Sequence, residues 1–186
     1  MPKTELRVAG FGGQGVILSA MIIGKAASIY GGKHATLIQS FGPEARGSAC
    51  SAQVTIDDHA VAYPYVNMAD ILVVMSPDAC KLFLPLVRPG GLMLFESDLV
   101  RPGEFGNGIR TVGVPAGKFA EELGRRMIMN IVMVGFFARV TQLLPREAFE
   151  QAVRDSVPRG TEDVNLMAFK KGFEYGNEVA GAAKAG

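Results

Sequence analysis

An apolar run passes directly into a cluster of glycines at Leu6-Arg7-Val8-Ala9-Gly10-Phe11-Gly12-Gly13-Gln14-Gly15. The apolar run predicts a buried strand, and the glycines predict the tight turn that leaves it. Residues 16–28 are almost all apolar or small, as in a helix packed closely on a sheet. Gly10, Gly12 and Gly15 have the spacing of a dinucleotide-binding turn, and the strand and helix around them supply the context that this motif requires.

Further apolar runs predict the other strands of a sheet. Residues 71–75 form a continuous apolar run, which is typical of a central parallel strand covered on both faces. Residues 49–56 alternate apolar and polar side chains, as a half-exposed strand does, and Asp57-Asp58 predicts a hairpin turn with residues 60–63 returning beside it. From Ala116 onward the pattern is helical. We therefore predict a single α/β domain over residues 1–186, with a Rossmann-like open, mainly parallel sheet, an antiparallel hairpin insertion and a helical C-terminal part.

Composition narrows the class of protein. Hydrophobic residues make up 48% of the 186 residues, which is ample for a core. Nineteen Lys and Arg residues balance 18 Asp and Glu residues, and without a basic run this gives no reason to expect a nucleic-acid partner. The apolar stretches are interrupted well short of a membrane span, and the N-terminus lacks an apolar signal region. We expect a cytoplasmic protein with no membrane partner.

The sequence offers no catalytic or metal-binding constellation. Its two cysteines, Cys50 and Cys80, are far apart in sequence, so the chain alone cannot build an iron–sulfur or structural zinc site. Glu44, Glu96 and Asp98 are the carboxylates nearest the predicted strand ends, and we expect them to be solvated rather than paired as acid and base. We predict no catalytic residue and no metal site, so any reactive cofactor should come from another chain.

The glycine turn leaves two interpretations open. Its backbone N–H groups and the following helix N-terminus suit a phosphate, but the same glycines also permit close packing of strand and helix. An ordinary NAD site would also have an acid at the end of the second strand, where this chain has Gln39 and Ser40. The missing acid disfavours a nicotinamide-dependent dehydrogenase.

A second glycine-punctuated loop follows the second predicted strand, with the sequence Ser40-Phe41-Gly42-Pro43-Glu44-Ala45-Arg46-Gly47. In an open parallel sheet this loop leaves from the same carboxyl edge as the glycine turn. Glu44 and Arg46 could form an internal ion pair of little energetic value, or Arg46 could face a phosphate, a carboxylate or a partner chain. The residues alone do not choose between these roles.

Together, the turn G-F-G-G-Q-G at residues 10–15 and the loop G-P-E-A-R-G at residues 42–47 resemble the gamma subunit of 2-oxoacid:ferredoxin oxidoreductases. The form of the loop is most similar to the 2-oxoglutarate branch. The resemblance covers most of the chain and includes Asn130-Ile131-Val132 with Gly135, and the C-terminal helix around Asn165 and Phe169.

The resemblance implies a non-catalytic subunit of a larger enzyme that converts a 2-oxoacid and coenzyme A to acyl-CoA and CO₂ and reduces ferredoxin. It implies that thiamine diphosphate, Mg and the iron–sulfur clusters lie on other subunits, and that the partners are alpha, beta and in some complexes delta subunits. Coenzyme A or phosphate contacts are expected at Gly10, Gly12, Gly13, Gln14, Gly15 and Arg46. A subunit interface is expected at Phe41, Gly42, Pro43, Glu44, Arg46 and Gly47.

Rival interpretations differ in substrate or in class. Within the family, the chain could serve a pyruvate or indolepyruvate enzyme, because the substrate pocket is expected on another subunit. Outside it, the chain could be a free-standing NAD(P)-dependent reductase or a nucleotide-binding or scaffold module without an attached enzyme. The glycine turn is compatible with each of these.

Overall fold

A computed structural model describes residues 3–40, 50–101, 103 and 108–182 of the chain. Six strands form one sheet in the order β2-β3-β1-β4-β5-β6. The strands are β1 (Thr4–Gly10), β2 (His34–Ser40), β3 (Cys50–Asp57), β4 (Ala69–Val74), β5 (Val87–Glu96) and β6 (Arg110–Val114). The helices are α1 (Val16–Lys25), α2 (Pro77–Phe83), α3 (Ala116–Glu122), α4 (Met129–Thr141), α5 (Arg146–Arg154) and α6 (Glu162–Ala182).

The sheet is mainly parallel, as the sequence predicts. Strands β1, β4, β5 and β6 run parallel to one another, whereas β3 runs antiparallel to both of its neighbours, β1 and β2. The antiparallel hairpin is therefore β2–β3, inserted at one side of a parallel sheet. The α/β class with a hairpin insertion and a helical C-terminal part is confirmed.

The sequence predicts a different hairpin, in which residues 60–63 return beside β3, and this prediction is wrong. Residues 60–63 form no strand, because both edges of β3 are already occupied, by β1 on one side and β2 on the other. The alternation in β3 also does not mark a solvent-facing side, since Ser51, Gln53 and Thr55 are buried. The chain after β3 folds back over them, and Gln53 accepts a hydrogen bond from the Val66 N–H at 2.7 Å.

Two hydrophobic layers cover the sheet. On one face α1, α4, α5 and α6 pack over Leu6, Val8 and Val73, and this layer continues into α3. On the other face α2 packs over Ala9, Leu72 and Val74. Residues 129–138 of α4 are buried on every side, which makes α4 the central helix of the larger layer. In the described residues no helix is both long and apolar enough to cross a membrane.

Local sequence explains where α2 and α1 begin. Ser76 caps α2 by accepting the Ala79 N–H, and Pro77 occupies the first helical position. Gly15 immediately precedes α1. Its left-handed φ of 73° turns the chain into the helix, and no side chain caps the helix start. Helix α1 continues into a π-helical turn, Ala26–Tyr30.

Candidate functional site at the carboxyl edge of the sheet

The carboxyl ends of the parallel strands meet at one edge of the sheet. β1 ends there at Gly10, β4 at Val74, β5 at Glu96 and β6 at Val114. A cavity of about 430 Å³ opens at this edge between the glycine turn, the end of β5 and the start of α3. In α/β proteins of this type, ligands bind outside the carboxyl ends of the strands. This cavity is the candidate site.

The Gln14 side chain is engaged within the protein. Its Oε1 accepts the Phe11 N–H at 2.6 Å, and its Nε2 donates to the Met75 carbonyl at 2.9 Å. The first bond closes the glycine turn on itself, and the second fastens the turn to the end of β4. The sequence comparison with a dinucleotide-binding motif does not anticipate this role, because that motif asks only for the glycines.

The glycines of the turn serve different purposes. A Cβ at Gly10 would lie 2.6 Å from Gln14 Oε1, and a Cβ at Gly15 would lie 2.5 Å from Asn130 Nδ2 in α4. Both positions therefore require glycine for packing. Gly13 has a φ of 88° with open space around it, and it lines the cavity. Gly12 is exposed. Of the predicted glycine contacts, Gly12 and Gly13 are the ones with backbone accessible to a ligand.

Glu96 is the site residue that the sequence misplaces. It is fully buried rather than solvated, and it lines the cavity. Its Oε2 accepts the Leu99 N–H at 2.7 Å, and its Oε1 accepts the Gly117 N–H at 3.1 Å. Burial raises the pKa of Glu96, and those two N–H groups oppose part of the rise. In the sequence, the only signal of this burial is the position of Glu96 at the end of a predicted strand. The contact between the end of β5 and the start of α3 depends on the tertiary structure and cannot be predicted from local sequence.

Charges at the cavity are mixed. Glu96, Asp98 and Glu121 line it together with Lys118 and Arg126. The Arg126 Nε lies 3.5 Å from Glu121 Oε1 in an exposed pair, which contributes little to stability. Met127, at the rim, is 87% exposed. The cavity taken alone therefore does not fit a polyanion such as coenzyme A, whose phosphates require more cations than it supplies.

The profile of the pyruvate ferredoxin/flavodoxin oxidoreductase family matches residues 5–175. The chain belongs to this family. The KorC subunit of 2-oxoglutarate synthase from Methanothermobacter thermautotrophicus is 45% identical over 178 residues, 92% of this chain and 94% of that protein. The KorC subunit from Methanocaldococcus jannaschii is 40% identical over 179 residues, 95% of this chain and 96% of that protein.

A solved structure extends the likeness to the fold. The keto/oxoacid ferredoxin oxidoreductase gamma subunit from Geobacter sulfurreducens superimposes with a TM-score of 0.82 at 35% identity. The match covers 94% of this chain and 99% of that subunit. The gamma-subunit resemblance inferred from the two glycine-rich segments is confirmed.

In this oxidoreductase family member, the second strand is poorly placed for a nicotinamide cofactor. Strand β3 lies between β1 and β2, so the end of β2 is two strand spacings, or about 10 Å, from the turn. The ribose-binding acid of a dinucleotide fold would be expected on a strand next to β1. The insertion and the absence of an acid at Gln39 and Ser40 both disfavour that cofactor.

The second predicted segment can be located only by its flanks. Ser40 pairs with Ser51, and Cys50 pairs with Gly10, so both flanking residues lie at the edge that carries the glycine turn. The candidate contact and interface residues of this loop lie outside the described residues: Phe41, Gly42, Pro43, Glu44, Arg46 and Gly47. Their predicted roles stay predictions.

The described residues also show which prosthetic groups the chain could hold. Within the described ranges, no three His, Cys, Asp or Glu side chains are grouped so that they could bind a metal ion. Cys50 and Cys80 are both free thiols, and burial raises the pKa of each, which disfavours the thiolate that metal binding needs. The cysteines in the described part of this family member do not fit an iron–sulfur cluster.

Proposed function

We propose that this chain is the gamma subunit of a 2-oxoglutarate:ferredoxin oxidoreductase that forms acyl-CoA and CO₂ from the 2-oxoacid and coenzyme A. The observation that carries the proposal is the 40–45% identity, over nearly the whole chain, to two KorC subunits of 2-oxoglutarate synthase. In this role the chain does not catalyse the reaction alone. Thiamine diphosphate, Mg and the iron–sulfur clusters belong to partner subunits, and ferredoxin receives the electrons from the complex.

The carboxyl edge of the sheet is the part of the chain that we propose to border the coenzyme A site. Gly13 lines the cavity and the adjacent Gly12 is exposed, so both offer backbone N–H groups, and Lys118 and Arg126 offer positive charge. Because carboxylates share the same cavity, the phosphates need further cations. Arg46, on the loop between the flanks described above, and basic groups of partner subunits are the proposed sources.

Assembly is the first property to test. The tagged chain, expressed in the cytoplasm together with the genes beside its own, is purified without oxygen and its companions are identified. We expect a thiamine-binding subunit in fixed ratio and coenzyme A-dependent reduction of ferredoxin by the complex. Recovery as a stable lone monomer would contradict the proposal. Tight NADH or NADPH binding by the isolated chain would favour a free-standing reductase instead.

Substrate identity is tested on the same complex with 2-oxoglutarate, pyruvate and indolepyruvate. We expect the highest kcat/KM with 2-oxoglutarate. A preference for either of the other acids would retain the gamma-subunit role and reassign the complex within the family.

The loop assignment is tested with Arg46→Ala, and the exposed Arg159→Ala serves as a control for the loss of one positive charge. We expect Arg46→Ala to weaken assembly or coenzyme A use more than it lowers the melting temperature of the chain. Unchanged activity of the reconstituted complex would refute a role for this arginine.

A further inference from the structure

The glycine turn is held by a side chain that its own sequence supplies. We propose that Gln14 is a positioning residue: it contacts no ligand, and it fixes the Gly12–Gly13 backbone at the cavity so that this backbone can meet coenzyme A. The inference rests on the proposed function for the identity of the ligand. The geometry of the turn stands without it.

Each end of the Gln14 amide makes one hydrogen bond within the protein. The Phe11 N–H donates to its Oε1 at 2.6 Å, and its Nε2 donates to the Met75 carbonyl at 2.9 Å. The Met75 N–H in turn donates to the Ala9 carbonyl at 2.9 Å. The backbone pairing of β1 with β4 thus continues one residue past β4, to Met75. The Gln14 amide then bonds to the carbonyl of that same residue. The amide keeps one further N–H and one further lone pair, and Gln14 lines the cavity, so the measurements below separate positioning from ligand contact.

The neighbouring glycines make room for this arrangement. A Cβ at Gly10 would come within 2.6 Å of Gln14 Oε1, so the residue at position 10 must be small for the amide to lie where it does. Gly13, immediately before Gln14, has a φ of 88°, open space around it and a place in the cavity wall. Gln14 lines the same cavity, but its side chain is bonded to Phe11 and Met75, whereas within the described residues no hydrogen bond holds the Gly13 N–H; the amide is therefore the group that fixes the turn.

The test uses two substitutions of graded severity. Gln14→Ala removes both side-chain hydrogen bonds. Gln14→Asn keeps a neutral amide but shortens the side chain by one methylene, so it cannot keep both bonds and is the milder change. The exposed Gln151→Ala, in α5, is the matched control.

Amide hydrogen exchange gives a readout that does not depend on activity. In the isolated full-length chain, we expect exchange of the amides of residues 11 and 14 to become about tenfold faster in Gln14→Ala. The Phe11 N–H loses its acceptor, and the turn that holds the residue 14 N–H against the Phe11 carbonyl loses its bond to Met75. Exchange in α5 should be unchanged. Gln151→Ala should leave the turn as in the wild type.

Kinetics of the reconstituted complex give the second readout. We expect the KM for coenzyme A to rise about tenfold in Gln14→Ala and less in Gln14→Asn, with the KM for 2-oxoglutarate within about twofold of wild type. A residue that only stabilises the fold would lower the melting temperature without separating the two KM values.

Each remaining outcome decides the matter. A raised KM for coenzyme A with unchanged exchange at the amides of residues 11 and 14 would overturn the inference, because Gln14 would then contact the ligand itself. Faster exchange with an unchanged KM would overturn it by making the role purely structural. If Gln14→Ala does not fold, Gln14→Asn carries both measurements. If the wild-type complex neither assembles nor uses coenzyme A, the proposed function fails, while the exchange experiment still decides whether Gln14 holds the turn.

Gly10 provides an independent check by a double-mutant cycle. Gly10→Ala should lower the urea midpoint of unfolding less in the Gln14→Ala background than in the wild type, because the colliding Oε1 is gone. Additive effects would show that the two positions are uncoupled and would contradict the geometry argued above.

Discussion

Glu96 shows how a single side chain can organise the candidate site. The carboxylate has no exposed surface, and it joins the turn after β5 to the first turn of α3 by accepting the Leu99 and Gly117 N–H groups. A buried polar group is tolerable only when such partners satisfy it. The cavity wall therefore depends on a carboxyl group whose pKa is raised, because burial penalises its charge.

This burial predicts a pH dependence of stability. Because burial raises the pKa of Glu96 above its unfolded value of about 4.3, protonation stabilises the folded state relative to the unfolded state. The contribution is complete below the unfolded pKa and is lost as the pH rises through the folded pKa. Glu96→Gln cannot titrate at this position. The free energy of unfolding of the wild type minus that of the variant should therefore increase as the pH falls from about 7 to about 4.3.

Urea denaturation of both proteins at several pH values in this window checks the sign. The exposed Glu178→Gln controls for the removal of one negative charge. A difference that stays constant or shrinks on acidification would contradict the burial argument.

At the scale of elements, α4 and α6 cross with their backbones in close contact. A Cβ at Gly135 would lie 2.0 Å from the Phe169 carbonyl oxygen, and a Cβ at Gly172 would lie 2.0 Å from the Val132 carbonyl oxygen. Two glycines on facing helices thus let the backbones approach closely. The same helix α4 supplies Asn130 beside Gly15, so its position also determines the geometry of the glycine turn.

We expect Gly135→Ala to lower the free energy of unfolding by about 3 kcal/mol, because the helices must separate to admit the methyl group. Gly24→Ala in α1 is the matched control: nothing lies within 4 Å of its Cβ position, so helix propensity should make it neutral or stabilising by up to about 1 kcal/mol. Urea denaturation measures both. Equal effects of the two substitutions would show that the close crossing is not required.

Periodicity predicts the elements of this fold better than it predicts their neighbours. The apolar run that became β4 and the Ser76-Pro77 start of α2 are local signals, and both are found where the sequence places them. The pairing of β3 is not local. The alternating sequence of β3 predicts that its polar side faces solvent. In the structure Val66 lies over this side: its N–H donates to Gln53, and its carbonyl accepts from Arg7 of the neighbouring strand β1 at 2.8 Å.

The candidate site divides in the same way. Its glycines are visible in the sequence because a turn with left-handed φ requires them, and the spacing of the motif is local. The internal bonds of Gln14 to Met75 and the burial of Glu96 depend on which strand ends meet at the edge. Only the tertiary structure places those residues together.

At the scale of the whole molecule, the two edges of the sheet differ. The carboxyl edge carries the cavity, the glycine turn and the flanks of the second loop. The opposite edge is tied by ion pairs, in which Arg88 contacts both Glu5 and Asp70, and Lys3 lies 2.7 Å from Glu5. Contacts with a ligand are therefore proposed at one edge, and the ion pairs stabilise the other.

The larger hydrophobic layer predicts that the chain unfolds as one domain. It runs without interruption from Leu6 in β1 through α1 and α4 to Phe169 in α6, so neither the sheet nor the C-terminal helices retain a core without the other. We expect far-UV circular dichroism and tyrosine fluorescence to report the same urea midpoint. Tyr175 is informative because it packs against Phe119 and Phe136, where α3, α4 and α6 meet.

Gly135→Ala sharpens this test, because it acts at the junction between the C-terminal helices and the rest of the layer. In a single cooperative unit it should shift both probes by the same amount. A fluorescence transition that precedes loss of the sheet signal, and that moves alone in Gly135→Ala, would instead make the C-terminal helices a separate unit. Asn130 would then be free to leave Gly15 before the sheet unfolds, and the glycine turn would lose its support from α4 while β1 remained in place.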